Sequence, residues 1–190
     1  MSAPLLQLRT ARLLLSTPTQ ELAQAARDFH VRNHAFLAPW SPPTPANFET
    51  LGFWQDYAGK SRDAFIAGSM VRLWMSDAAH PDKVIGSLGF SHIFRGPFCS
   101  AVLGYQIDED EQGKGLMFEA LSAGIGYMFE QQKLHRIGAN YMPHNVRSGR
   151  LLAKLGFTVE GYAKNYLFID GAWRDHVLTS RINPHILSPT

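Results

Sequence analysis

The chain has a single cysteine, Cys99, among its 190 residues. One thiol excludes an intrachain disulfide and any metal site built from several cysteines, and it fits a reducing compartment. No apolar run approaches the length needed to cross a bilayer. The opening stretch MSAPLLQLRTARLLLS interrupts its leucines with Arg9 and Arg12, so it lacks the unbroken apolar centre of a secretory signal. The expectation is a cytoplasmic protein with no membrane partner. An excess of one charge is also missing: Lys plus Arg number 18 and Asp plus Glu 16, which gives no general affinity for polyanions and argues against direct DNA binding. There are no internal repeats, heptads or low-complexity segments. With 45% hydrophobic and 18% charged residues the composition is that of a folded globular chain, and its length suits one domain over 1–190 rather than two.

What is present is a sequence of short periodic segments. Leu6, Leu8 and Leu13 to Leu15 outline an opening strand with an irregularity between Leu5 and Ser16. Pro18 stands where a helix begins, with Thr17 as its cap and Leu22, Ala25, Ala26 and Phe29 at helical spacing up to Asn33. The proline-rich FLAPWSPPTPANF carries Phe36, Leu37 and Trp40 and reads as an ordered loop lying on the domain. Leu51, Trp54, Tyr57 and Ala58 mark a second helix. Met70 to Ser76 and Lys83 to Ser91 read as strands joined by a turn across Asp77 to Asp82, and AVLGYQID as a further strand. Gly115 to Phe129 repeats Met117, Leu121, Ile125 and Met128 at helical intervals, and Arg136 to Met142 reads as a strand. Asn145 to Leu155 is a short helix with Asn145 as cap and Gly156 past its end, and Asp170-Gly171 between two aromatic, β-branched runs predicts a hairpin. This order implies an α/β sandwich around a mixed sheet.

The stretch DEDEQGKGLMFEAL, Asp108 to Leu121, joins a strand to a helix through Gly113-Lys114-Gly115. A helix starts with unpaired amide N–H groups and the positive end of its dipole, and a glycine loop before it lets an anion approach without Cβ interference. A ligand carrying phosphates is expected. The loop is not a Walker loop: Lys114 is followed by Gly115 rather than Ser or Thr, and no glycine stands five residues before Gly113. Nor is it a dinucleotide fingerprint, because Phe118 occupies the third glycine's place.

QGKGLM resembles the pyrophosphate-binding loop, [QR]-x-x-G-x-[GA], of the GNAT superfamily of acetyl-CoA-dependent N-acetyltransferases; Gln112 and Gly115 match and Met117 departs. Downstream, PHNVRSGRLLAKLGF is similar to the family's N-x-x-[SA]-x-x-L-x-x-K-x-G-F helix. LRTARLLL, RGPFCSAVLGYQID, HRIGANYMPHN and EGYAKNYLFIDGAWRDHVL extend the likeness over nearly the whole chain, toward the ribosomal-protein N-terminal acetyltransferases of that superfamily. The resemblance implies the GNAT fold: a mixed, mostly antiparallel central sheet flanked by helices, with a splayed strand pair whose gap takes pantetheine as a pseudo-strand. It also implies acetyl-CoA as cosubstrate with no metal. The implied acceptor is the N-terminal peptide of a ribosomal protein, with alanine preferred, and the implied assembly a monomer or homodimer.

The same resemblance assigns site residues. Cofactor contacts fall on Ile107 at the strand end, on Gln112, Gly113, Lys114 and Gly115 in the loop, and on Leu116, Met117 and Phe118 in the first helical turn. Asn145, Ser148 and Arg150 continue them on the following helix; of the cations Lys114, Arg147, Arg150 and Lys154, Lys114 and Arg150 are the expected phosphate contacts, and the alternative for all four is a solvated basic face. Acetyl transfer to an amine needs a neutral amine, a stabilised oxyanion and a proton for the departing thiolate. Many relatives carry a Glu where this chain has Val102, and a tyrosine acid where it has Leu152. Ser148 is then the candidate proton donor to sulfur, alternatively a serine satisfying local backbone groups in the helix's first turn. Asn140, Tyr105 and Tyr166 are candidates for handling the amine, alternatively half-buried groups with satisfied bonds. Glu119 resembles a free carboxylate acid or base, and equally serves the helix dipole.

Other groups read more simply. His30 and His34 stand four apart on a helix without a third ligand and read as a surface pair, and Cys99 reads as packing. Phe36, Trp40, Phe48, Phe53 and Trp54 either roof a peptide groove or fill the core. Two other functions stay open from the residues: acetylation of a small amine, which an acidic acceptor groove would favour, and a CoA-binding ribosome-assembly module without turnover.

Overall fold

In the computed structural model, which describes residues 5–185, the chain opens as two short strands, β1 (Gln7–Arg9) and β2 (Leu13–Ser16), paired antiparallel with Leu8 opposite Leu15. The single irregular strand expected there is thus a tight hairpin. Met1 to Pro4 of the opening stretch lie outside the described residues. The first helix, α1 (Ala23–Arg32), starts later than Pro18. The Thr17 hydroxyl does not cap it but accepts from the Leu6 N–H across the hairpin. A strand-end bond displaced the local capping signal. Asn33 ends α1 as expected, its backbone N–H donating to the Phe29 carbonyl.

A one-turn helix α2 (His34–Leu37) and a 3₁₀ turn (Ala38–Trp40) order the proline-rich segment, and α3 (Leu51–Ile66) follows, capped by the Thr50 hydroxyl on the Phe53 N–H. Strands β3 (Val71–Asp77) and β4 (His80–Phe94) are joined by Ala78 and Ala79 alone, a tighter turn than the one expected across Asp77 to Asp82. Then come β5 (Ser100–Ile107), α4 (Leu116–Glu130), β6 (Arg136–Tyr141), α5 (Val146–Lys154), β7 (Thr158–Ile169) and β8 (Ala172–Ile182). The β7–β8 turn is Asp170-Gly171, with φ of 48° and 70°, the left-handed pair that a two-residue hairpin turn requires.

The described strands form one sheet in the order β1-β2-β3-β4-β5-β6-β8-β7. Every neighbour is antiparallel except β5 and β6. That parallel pair is laddered only from Ser100–Arg136 to Val102–Gly138, although β5 continues to Ile107 and β6 to Tyr141. The two strands therefore part midway, which is the splayed pair that the sequence resemblance implied.

Strand alternation sorts the side chains to two faces. On one face Leu73, Leu88, Phe90, Leu103 and Ile137 pack with Leu121, Ile125 and Met128 of α4 and Leu152 of α5. Gly124 lets α4 approach, since a Cβ there would stand 2.7 Å from Leu88 Cδ1. On the other face Trp74 and Val84 pack under Ala26 and Phe29 of α1 and Trp54 and Ala58 of α3. The gap between β5 and β6 connects these two sides.

Candidate active site

A cavity of about 2130 Å³ runs through the split, from the α4–α5 side to the α1–α3 side. Past Val102 and Gly138 the backbone N–H and C=O groups facing across the gap have no ladder partner, and such groups demand one. An extended, amide-containing ligand would satisfy them.

The glycine loop forms one mouth of the cavity. Gly113 and Gly115 hold φ of 74° and 77°, a left-handed region that side chains resist, and Gly115 is the residue from which α4 begins. The first-turn N–H groups of Leu116, Met117 and Phe118 are left for a ligand. The Leu116 and Met117 side chains are buried in the core. Met117, the departure from the family's small residue, is largely buried in the core and also lines the cavity at this mouth. Lys114 differs from its neighbours: its Nζ pairs with Glu111 Oε2 at 2.9 Å, and it is not among the residues lining the cavity. Gln112 lines the mouth and accepts from Arg147 Nη1, while Arg150 and Lys154 line it from α5. Ile107 lines it from the end of β5.

The loop is pinned from behind. Arg12 Nη1 donates to the Lys114 carbonyl at 3.0 Å, and Arg12 Nη2 pairs with Glu119 Oε2 at 2.7 Å. Glu119 also accepts from the Thr10 hydroxyl at 2.6 Å and the Arg12 N–H at 2.9 Å. The Thr10 bond first, then the bonds from Arg12, hold its carboxyl below the usual range. Glu119 is thus fully engaged in tying the β1–β2 turn to α4, and it is not free for acid–base work. Nothing in the spacing of Arg12 announced this role.

Two polar pairs stand on opposite faces of the split. On the α4–α5 face the Tyr105 and Ser148 hydroxyls are 2.7 Å apart. Burial, against the smaller effect of that bond, pushes the Tyr105 phenol up, so it keeps its proton. Asn145 caps α5 by accepting from the Ser148 N–H at 3.1 Å. The Ser148 hydroxyl is therefore not the cap; it belongs to the cavity. On the α1–α3 face Asn140 Nδ2 donates to Tyr166 Oη at 3.1 Å. Asn140 does not meet Tyr105, since Tyr105 faces α5 while Asn140 alternates with Ala139 and Tyr141 to the opposite side.

The α1–α3 side holds a groove whose floor is Ser87, Gly89, Ser91 and Gly104. Its walls include Phe36, Trp40, Tyr57 and Arg72, and the Arg72 guanidinium lies 4.6 Å from the Tyr57 ring centre. Trp40 reaches across to His144, ring to ring at 5.4 Å. Of the aromatics that were candidates for a roof, Phe36 and Trp40 line the cavity, whereas Phe48 and Trp54 are buried and bonded to each other through Trp54 Nε1. His30 corrects the surface-pair expectation: it stacks on Trp54 at 4.2 Å, and burial, then Arg32, lowers its pKa to about 3. The described residues contain no group of three His, Cys, Asp or Glu able to hold a metal ion. Cys99 is buried with Sγ on the Lys133 carbonyl. His176, which the motifs did not single out, lines the cavity on the Asn140 side; the alternation of WRDHVL was the available signal.

Comparison with known proteins agrees with this geometry. A family model described as an acetyltransferase (GNAT) domain matches residues 12–158. The chain is 45% identical over 185 residues to the ribosomal protein uS5-alanine N-acetyltransferase of Escherichia coli, covering 96% of this chain and 94% of that one. The crystal structure of a ribosomal-protein-S5-alanine acetyltransferase from Vibrio fischeri superposes with a TM-score of 0.90 at 36% identity, covering 95% of this chain and 98% of that one. Mycobacterium smegmatis RimJ in complex with CoA-disulfide gives 0.84 at 28% identity, over 93% and 85% of the two chains. By its family match, its long relatives and its split sheet, this chain belongs to the GNAT acetyltransferases.

Proposed function

We propose that the protein transfers the acetyl group of acetyl-CoA to the N-terminal α-amine of a protein, with alanine preferred and a small-subunit ribosomal protein as the acceptor. The observation that carries this reading is the 45% identity to a uS5-alanine acetyltransferase along 96% of the chain. Such an acceptor implies a cytoplasmic enzyme.

The residues fit the cosubstrate. Gly113, Gly115 and the N–H groups of Leu116 to Phe118 present a helix-start anion site for its pyrophosphate, with Gln112 and Arg150 at the rim. Lys114 contributes its backbone, since its ammonium is held by Glu111. Ile107 and the unladdered edges of β5 and β6 would hold its pantetheine amides, and Asn145, which lines the same cavity, would offer its amide nitrogen to that arm. Bound there, acetyl-CoA supplies an activated acyl carbon and a thiolate leaving group. Ser148 Oγ would give its proton to sulfur and recover one through the Tyr105 hydroxyl, which burial keeps neutral and which passes on a proton released by the acceptor amine.

The acceptor enters from the α1–α3 side. Its groove floor carries hydroxyls and bare glycine backbone, and the charged group beside it is Arg72. The carboxylates lining the cavity, Glu109 and Glu111, sit on the turn that leads to the glycine loop. A floor without carboxylates favours a peptide over a polycationic small molecule. The test is steady-state CoA release against a panel of peptides and small amines. The expected result is the highest kcat/KM for peptides beginning with alanine; faster turnover of small amines overturns the reading.

A further inference from the structure

We infer that His176 is the base that receives the acceptor amine's proton, at Nε2, on the opposite face of the sheet from the Tyr105–Ser148 pair. This inference rests on the amine-acetylating reading above. His176 is 3% exposed to solvent, yet it lines the cavity. Its Nδ1 stands 3.0 Å from the Arg174 carbonyl oxygen, which can only accept, so Nδ1 carries the ring proton and Nε2 the lone pair. No described residue bonds Nε2, and no buried side-chain nitrogen or oxygen among the described residues lacks a partner; Nε2 therefore opens on the cavity.

Register fixes the side of the sheet. Asn140 pairs with Leu178 across β6 and β8, and His176 lies two residues along from Leu178, so Asn140 and His176 share a face. Asn140 holds Tyr166 by its hydroxyl, and the Tyr166 ring packs against His176 at 5.3 Å. Ionisable groups near the ring include Tyr166, Asp175 and, two residues along the strand, Arg174; Asp175 is engaged by the Tyr162 hydroxyl and the Asn165 N–H, and the Arg174 guanidinium by the Ile169 and Asp170 carbonyls. The imidazole thus meets the acceptor side of the gap, while the hydroxyl pair meets the leaving-group side.

This division balances the reaction. The amine arrives as an ammonium and loses two protons. The N–C bond forms as the C–S bond breaks with its electron pair on sulfur. One nitrogen proton goes to His176 Nε2 and on to solvent, and the other replaces the proton that Ser148 delivers to the thiol. An imidazole is well matched to an α-amine near neutral pH, and the carboxylates lining the cavity, Glu109 and Glu111, sit on the turn before the glycine loop, away from the acceptor floor.

His176→Asn keeps a donor for the Arg174 carbonyl and removes the base. It should retain acetyl-CoA affinity by calorimetry and the melting temperature, while kcat falls on the order of 100-fold. His176→Ala should regain activity with added imidazole and methylimidazoles, in proportion to their basicity. Nitrogen NMR of the free protein should show the Nδ1–H tautomer. A kcat for His176→Asn within threefold of wild type, an alanine variant that imidazoles do not rescue, or an Nε2–H tautomer overturns the assignment. Wild type is run in parallel on an alanine-first peptide and on small primary amines. Turnover of the amines alone refutes the peptide reading and leaves the same variant comparison to be made on them; turnover of neither refutes both.

Discussion

Replacing Ser148 by alanine separates chemistry from architecture, because the two roles of this residue reside in different atoms. The cap of α5 uses the Ser148 N–H, bonded to Asn145 Oδ1 at 3.1 Å, and alanine keeps it. Only the Oγ contact with Tyr105 at 2.7 Å is lost. A neutral hydrogen bond between half-buried groups contributes about 0.5–1.5 kcal/mol, which for a chain of this size lowers Tm by roughly 1–6 °C. The effect on turnover should be larger. Loss of a proton donor to a fairly good leaving group should reduce kcat about 10- to 100-fold, or about 1.4–2.7 kcal/mol of barrier, with acetyl-CoA affinity nearly unchanged. Tyr105→Phe interrupts the same proton path, so the double variant should be no slower than Ser148→Ala alone. Burial raises the Tyr105 pKa above its usual 10.0, so the donor stays protonated and the Tyr105→Phe deficit should be constant from about pH 7 to 9. The assay is kcat, calorimetric acetyl-CoA affinity and Tm on each preparation. Full turnover in Ser148→Ala, or a double variant whose losses multiply, refutes the relay.

Three further outcomes follow from the glycine loop and α5. Gly115→Glu places a side chain at φ 77°, at a strain of about 1–2 kcal/mol, and a carboxylate where phosphate is expected; calorimetry should show acetyl-CoA affinity at least about tenfold weaker in a folded protein. Glu119 has a depressed pKa in the fold, so its ties to Thr10 and Arg12 contribute stability above its usual 4.5 and lose it as pH falls through the lowered value; denaturation across pH 3 to 6 should show Glu119→Gln flattening that slope. Gly149→Ala would gain helix propensity of about 1 kcal/mol, but its Cβ falls 2.8 Å from Tyr141 Cε2, so thermal melts should show net destabilisation, and kcat should drop as Ser148 shifts.

Much of the fold was legible because its elements carry local signals. The Asp170-Gly171 turn, the Asn145 cap and the α4 periodicity each depend on neighbours within a few residues, and the structure reproduces all three. The helix start at Pro18 failed for the opposite reason: Thr17 is claimed by Leu6, eleven residues away, across a hairpin that reads locally as one irregular strand. The loop residues were found through their motif, yet the arginine that pins that loop lies 102 residues earlier than the carbonyl it holds. No spacing rule reaches that far. Ser148 and Tyr105 were singled out separately, and only the parting of β5 from β6 shows that they meet while Asn140 faces away. Burial supplied the remaining correction, turning His30 from a surface residue into a neutral ring stacked on Trp54.

The central claim is that the protein acetylates an α-amine at a chain terminus. An α-amine has a pKa lower than a lysine ε-amine by roughly 2 to 3 units, so a site with a modest base acts on the former near pH 7. The direct measurement is mass spectrometric location of the acetyl group on a peptide that begins with alanine and contains one internal lysine, after incubation with acetyl-CoA and the protein. The account predicts acetylation of the alanine nitrogen with the lysine left free. Acetyl found on the lysine, or an unmodified peptide alongside an acetylated small amine, contradicts it.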